Sequence, residues 1–195
     1  AESLEQEFNE VFAANEPTKK IADKIIRLQL KNGKSKFIIL HVEFQGKGEK
    51  LFRLRMFTYF MYIFFKYKTT DVTALAIYTG AGRPEIYDRF HVIHHGTEIM
   101  YKFNTYTVRD QSETELLKSN NPFAFAVLAS LYLIKAGNDE LKKLEIKKKL
   151  LNIALEKGFD YPKLYRLLNF VKYLVKLKQP LELVFDDYSK NSKKI

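Results

Sequence analysis

Two apolar runs on either side of an Asn-Gly pair constrain this chain more than any other feature: "DKIIRLQL" from Asp23 and "KFIILHVEFQ" from Lys36, joined by "KNGKS". Alternating runs around Asn-Gly read as a β-hairpin. In the second run Ile38, Leu40, Val42 and Phe44 share one face, with Phe37, Ile39, His41, Glu43 and Gln45 on the other. In the first, Ile26, Leu28 and Leu30 oppose Asp23, Ile25, Arg27 and Gln29. The more apolar faces must lie on one side of the sheet, and cross-strand partners point the same way, so paired residue numbers must add to an even value. A two-residue Asn32-Gly33 loop would pair Lys31 with Lys34 and fail that condition. A three-residue loop, Lys31 to Gly33 with Gly33 left-handed and bulged, pairs Leu30 with Lys34 and meets it. The expected register adds to 64, with Leu28 opposite Lys36, Asp23 opposite His41, and Asp23 diagonal to Glu43 on the same face.

Patterning alone therefore gathers Asp23, Glu43 and Gln45 at one end of the hairpin. Two carboxylates and a neighbouring amide are hard oxygen donors of the kind Mg²⁺ takes, and diagonal neighbours across a sheet can share one ion. Such an ion polarises a phosphodiester and lowers the pKa of an attacking water. The competing reading is that strand ends carry acids because they reach solvent.

Elsewhere the periodicity changes. "ESLEQEFNEVF" sets Leu4, Phe8, Val11 and Phe12 at helical spacing and predicts a short amphipathic helix ending before Pro17. "LFRLRMFTYFMYIFFKY" predicts a helix apolar nearly all round and so largely buried. "VTALAIYTG" then reads as a strand covered on both faces. A helix between two strands is a crossover, which makes the sheet at least partly parallel. "RFHVIHHGTEIMYKFNTYTV" predicts two strands around His95-Gly96. From about Gln111 helices follow: Pro122 to Ala136, Asp139 to Lys157, and Tyr161 to Lys178 capped by Asp160, with "YSKNSKKI" as a frayed basic tail.

Hydrophobic and aromatic contents of 46% and 14% call for a packed core rather than disorder. The formal charge of +10, from 33 Lys and Arg against 23 Asp and Glu, suits a polyanionic partner if it is clustered. The clusters "LKKLEIKKK", "VKLK" and "KNSKK" could track a nucleic-acid backbone. They could equally be outer faces of helices whose inner faces carry Leu141, Leu144, Leu151 and Leu155. With no cysteine, disulfides and thiolate metal sites are excluded. The acidic start lacks a signal-peptide pattern, and "MFTYFMYIFF", bounded by Arg55 and Lys66, is about half the length a membrane span needs. The expectation is a soluble, cytoplasmic protein with no membrane partner.

The run from Ala22 to Gly80, with its apolar strand after Asp23, Gly-containing turn, "HVEFQ" strand and helix carrying "RMFTY", resembles the PD-(D/E)XK nuclease superfamily. Within it the chain is similar to the recombination-promoting nuclease and putative transposase branch, in which Gln replaces the terminal Lys of the motif. "YKFNTYTVRD" and "NNPFAFAVLASL" also look like this group. The resemblance implies an α/β fold: a restriction-endonuclease-like core with a mixed central sheet over residues 1–110, and an α-helical C-terminal region over 111–195 packed on it. It implies a Mg²⁺-dependent DNA endonuclease, Mn²⁺ being an alternative ion, with Asp23 and Glu43 as metal ligands and Gln45 where Lys usually orients the attacking water. A neutral amide lacks an ammonium's charge, which Lys47 or Arg55 could supply. Ala22 stands where the strict motif has Pro. The alternative is a weak or inactive nuclease-fold module that binds nucleic acid or a protein; a helical adaptor is a third reading.

Many superfamily members add an acid from the first helix; Glu5, Glu7 and Glu10 are the candidates, against a plain exposed acidic face. Arg55, Tyr59 and Tyr62 share one helix face by their i, i+4, i+7 spacing. They read either as groups turned toward substrate, Arg55 and Tyr59 foremost, or as core aromatics beside an arginine that needs a partner. His94 and His95 fit a hairpin turn better than a metal site, since neighbours in a strand point to opposite faces. Oligomeric state is left open, a homodimer included.

Overall fold

The hairpin takes the register that hydrophobic patterning demands. In a computed structural model of the chain, strands Lys24–Gln29 (β2) and Ser35–Glu43 (β3) pair antiparallel, with Lys24 opposite Leu40, Ile26 opposite Ile38 and Leu28 opposite Lys36. The structure describes Glu2–Ser3, Lys24–Gln29, Ser35–Glu43, 51–82 and 88–192, and in the first three of these segments it is the backbone that is described. The bulged loop at Lys31 to Gly33 and the apolar positions of the expected first helix lie outside these residues. That helix does not include its first two positions: Glu2–Ser3 (β1) pairs antiparallel with Arg27 and Ile26, occupying backbone groups at the outer edge of β2.

Two compact units make up the chain, Ala1–Thr107 and Val108–Ile195. In the first, helix Phe52–Tyr67 (α1) connects β3 to strand Val72–Tyr78 (β4), which pairs with β3 in parallel, as a helical crossover permits. Strand Asn104–Thr107 (β7) adds in parallel to the far side of β4, giving a mixed five-stranded sheet in the order β1-β2-β3-β4-β7.

Helix α1 has two working faces. Phe52, Met56, Tyr59 and Ile63, at i, i+4, i+7 and i+11, are buried against Ala74, Ala76 and Tyr78. The small alanines let the helix settle close to the sheet, and each large side chain fully buried there contributes about 1.5–3 kcal/mol. The second face carries Phe57 and Phe60, which stack on Phe90 at 5.0 Å and Tyr101 at 4.9 Å. Those two rings belong to the hairpin Arg89–His94 (β5) and Thr97–Lys102 (β6), a separate two-stranded sheet. Burial raises the pKa of the Tyr101 phenol. Leu54 and Phe65 remain exposed, so α1 is less enclosed than its composition suggests. It stops at Lys68, whose left-handed φ of 50° ends the helical path.

The second unit is helical. Glu113–Lys118 (α2), Pro122–Ala136 (α3), Glu140–Glu156 (α4), Tyr161–Leu174 (α5) and Gln179–Ser192 (α6) follow a short 3₁₀ turn at Val108–Asp110. Four starts are capped by side chains that accept from backbone N–H groups: Ser112 from Glu115, Asn121 from Phe123, Asp139 from Leu141 and Lys142, Asp160 from Lys163. Helix α3 is buried over much of its surface, including Phe125, Leu128, Leu131 and Tyr132.

Three expectations are corrected here. The third long helix ends at Leu174 rather than Lys178, and a new one, Gln179–Ser192, takes in Tyr188 to Ser192 of the stretch read as a tail. Pro180 cannot sit inside a continuous helix but is tolerated in a first turn, so the break falls upstream of it. In α6, Leu181, Phe185 and Tyr188 form the inner stripe, and the Tyr188 hydroxyl donates to Asn152 at 3.0 Å. On α4, Leu144 and Leu151 are buried, but Leu141 is 67% exposed and the inner position goes to Lys147.

Candidate functional site

Glu43, Tyr78 and Thr107 are the last residues of three adjacent parallel strands, and the two ladders set them in a single row: Glu43 beside Tyr78, Tyr78 beside Thr107. In open α/β sheets the space beyond the carboxyl ends of the strands is where ligands gather, because side chains and loops from several strands converge there. On the neighbouring antiparallel strand β2, Lys24, the residue after Asp23 in the sequence, pairs with Leu40. β2, which begins one residue after Asp23, and β3, which ends at Glu43, are therefore neighbours in the expected register.

Of the anticipated site residues, the backbone of Glu43 and the whole of Arg55 and Tyr59 are described, while Asp23, Gln45 and Lys47 lie outside the described residues, as do Glu5, Glu7 and Glu10. Helix α1 begins beside the row: the Phe52 ring lies edge-on to Tyr78 at 5.6 Å and to Phe103 at 6.1 Å. Arg55 is half-buried one turn along, its guanidinium carbon 5.8 Å from the centre of the Phe52 ring. Tyr59 is buried in the core between helix and sheet, and Tyr62, half-buried, packs against the same cluster with the Lys66 ammonium 5.5 Å over its ring. The three positions do share one side of α1, as their spacing requires.

Strand β7 is pinned to β4 by a side chain as well as by its ladder, since the Asn104 amide donates to the Ala74 carbonyl at 3.1 Å. Burial also raises the pKa of the Tyr106 phenol. Sequence reasoning missed Tyr78 and Thr107 as neighbours of Glu43, because parallel pairing between distant segments leaves no local mark. The one available signal was position, each residue closing a strand-like run.

His94 and His95 sit at the tip of the β5–β6 hairpin, where His95 and Gly96 have φ of 44° and 81°. Positive φ at both central positions is the requirement of a type I′ turn. Nearby, His91 Nε2 meets Glu98 Oε1 at 2.8 Å across the ladder. Among the described residues no group of three or more acid or imidazole side chains converges on one point.

The lysines of α4 are largely engaged inside the second unit. Lys142, Lys143 and Lys148 pair with Asp139, Glu140 and Glu145, and Lys149 reaches Glu113. No family model matches the chain, and no curated protein or solved structure is similar enough to count as a match. Among the described residues no helix is long and apolar enough to cross a membrane.

Proposed function

We propose that the chain is a metal-dependent DNA endonuclease of the recombination-promoting, transposase-like type, built on a restriction-endonuclease-like core. The observation that carries this reading is the pairing of the two motif strands: the Lys24–Leu40 register together with Glu43 at the carboxyl end of β3. The donor set suits the metal, since Asp23 and Glu43 are hard carboxylates and a chain without cysteine has no thiolate to compete. They would hold Mg²⁺, or Mn²⁺ in its place. When bound, the ion supplies charge neutralisation at the scissile phosphate and acidifies a water.

The chain's own residues have separate tasks in this reading. Gln45 orients the attacking water through its amide, Lys47 and Arg55 face the phosphate charge, and Tyr59, buried between α1 and the sheet, supports the helix that carries Arg55. Absence of cysteine also suits a reducing cytoplasm.

The test is a supercoiled-plasmid nicking assay with Mg²⁺, run beside the Glu43→Ala protein. Nicking by the native chain and not by the variant is expected; equal nicking by both sinks the assignment. The Gln in place of Lys favours a second reading, a binding module without turnover. Titration calorimetry separates the two: Mg²⁺ binding lost in Asp23→Asn supports the nuclease, and DNA binding indifferent to metal and to that substitution supports the module.

A further inference from the structure

Helix α5 differs from the rest of the second unit in what it shows to solvent. From Tyr161 to Lys178 the chain has five cations, Lys163, Arg166, Lys172, Lys176 and Lys178, and no acid. On helix α4, by contrast, the lysines are matched by nearby carboxylates. Three acids from outside the stretch reach it: Asp160 pairs with Lys163 at 3.0 Å, Asp186 lies 3.8 Å from Lys172, and Glu140 accepts from the Lys178 backbone N–H at 3.3 Å. Positive charge remains in excess.

The same helix exposes three large aromatic rings, Tyr161 at 78%, Tyr165 at 57% and Tyr173 at 76%. Leu167, Val171 and Val175 hold the opposite side in the core. At about 100° per residue, Tyr161, Lys172, Tyr165, Asn169, Tyr173 and Arg166 fall in succession over an arc of roughly 140°. Aromatic rings and cations therefore alternate across one face. Tyr161 and Tyr165 already lie nearly parallel, 6.5 Å apart and 20° between planes, and the Lys176 ammonium sits 5.5 Å from the Tyr173 ring.

Exposed tyrosines cost hydration without returning core packing, so their place on a cationic face calls for a partner that is anionic and carries flat rings. A single-stranded polynucleotide has both, with bases free to stack and a phosphate at every step. A duplex hides its ring faces, and an acidic peptide offers the charge but few rings. We infer that the exposed face of α5 binds single-stranded nucleic acid, its tyrosines stacking on bases and Arg166 and Lys172 following the backbone. This binding does not depend on the cleavage reading.

Fluorescence anisotropy with labelled oligo-dT and oligo-rU, metal-free and in the Glu43→Ala background, tests the surface apart from catalysis. Tyr161→Ala with Tyr173→Ala should weaken binding by roughly tenfold per ring, and the corresponding Phe variants should hold it near the native level. Arg166→Gln with Lys172→Gln should flatten the salt dependence, since fewer counterions are released. The dT and rU arms decide which strand is preferred. Affinity unchanged by the Ala pair, a preference for duplex, or equal displacement by polyglutamate would each overturn the inference. So would Ala variants that alter only the oligomeric state.

Discussion

The Lys147 ammonium, with no accessible surface, donates to both carboxylate oxygens of Glu182 at 2.6 and 2.8 Å and lies 4.6 Å from the Phe185 ring. A lysine thus occupies a core position of α4 because α6 supplies both an anion and a π-face. Removing one member of a buried pair typically costs about 3–5 kcal/mol. Glu182 is 31% exposed and can be partly rehydrated, so Lys147→Ala should cost about 3 kcal/mol, at the low end. Lys147→Met combined with Glu182→Leu should come close to native stability. Urea denaturation followed by circular dichroism distinguishes them; if the double variant is as unstable as Lys147→Ala, the position needs its charge and not merely its volume.

Glu113 should make the helical unit sensitive to acid. Its carboxylate accepts from Lys135 at 2.6 Å, from the Tyr132 hydroxyl at 2.8 Å and from Lys149 at 3.4 Å. The Lys135 bond chiefly, with that from Tyr132, holds its pKa down at about 2, against an ordinary value of 4.5. A carboxylate with a lowered folded pKa favours the folded state above its unfolded pKa. That contribution is lost as pH falls from about 4.5 to about 2. Glu113 is about a third exposed, so screening limits the effect to roughly 1 kcal/mol. Glu113→Gln should therefore lower stability at pH 6 by about that amount, with the gap shrinking as pH falls toward 2 and closing only below the folded pKa. A gap that stays constant across that range assigns the difference to packing.

Local rules carried the sequence reading where the interactions were local. The β2–β3 register followed from side-chain alternation because a one-residue slip would have moved every apolar side chain to the wrong face. Pro122 and Asp160 marked helix starts through backbone chemistry that needs no partner. What stayed hidden depended on distant segments. Lys147 reads as one more solvated lysine until Glu182, 35 residues on, is brought to it. Tyr188 reads as tail until Asn152 and the Lys148 ammonium, 5.4 Å from its ring, tie it down. For the candidate site, the β3 side was legible as alternation, whereas the Glu43–Tyr78–Thr107 row required two parallel pairings that no short window encodes.

The β5–β6 turn offers a local test of backbone strain. A Cβ at Gly96 would meet nothing within 4 Å, so its φ of 81° is the sole objection to a side chain there. Gly96→Ala should cost about 1 kcal/mol within the hairpin. His95→Asn, placing a residue tolerant of left-handed geometry at φ 44°, should be neutral or slightly stabilising. Amide hydrogen exchange should quicken across Arg89–Lys102 in the first variant and stay unchanged in β4. Unaltered exchange in the hairpin would show that Phe90 and Tyr101, held by α1, dominate its stability.

Gln45 carries the sharpest consequence for function. An amide can orient water by hydrogen bonding but cannot place a positive charge beside a phosphate that is becoming more negative. One preorganised charge-stabilising group is commonly worth about 10²–10³ in rate. If the endonuclease reading holds, Glu43→Gln should abolish Mg²⁺-dependent plasmid nicking with an unchanged circular dichroism spectrum, because Glu43 closes β3 rather than supporting its interior. Gln45→Lys should then raise nicking by about tenfold, part of that range, because in that reading Lys47 or Arg55 already supplies some of the charge. Gln45→Ala should lower it. Should Gln45→Lys lose activity while Gln45→Ala keeps it, Gln45 has no part in positioning water, and Lys47→Ala and Arg55→Ala become the decisive substitutions.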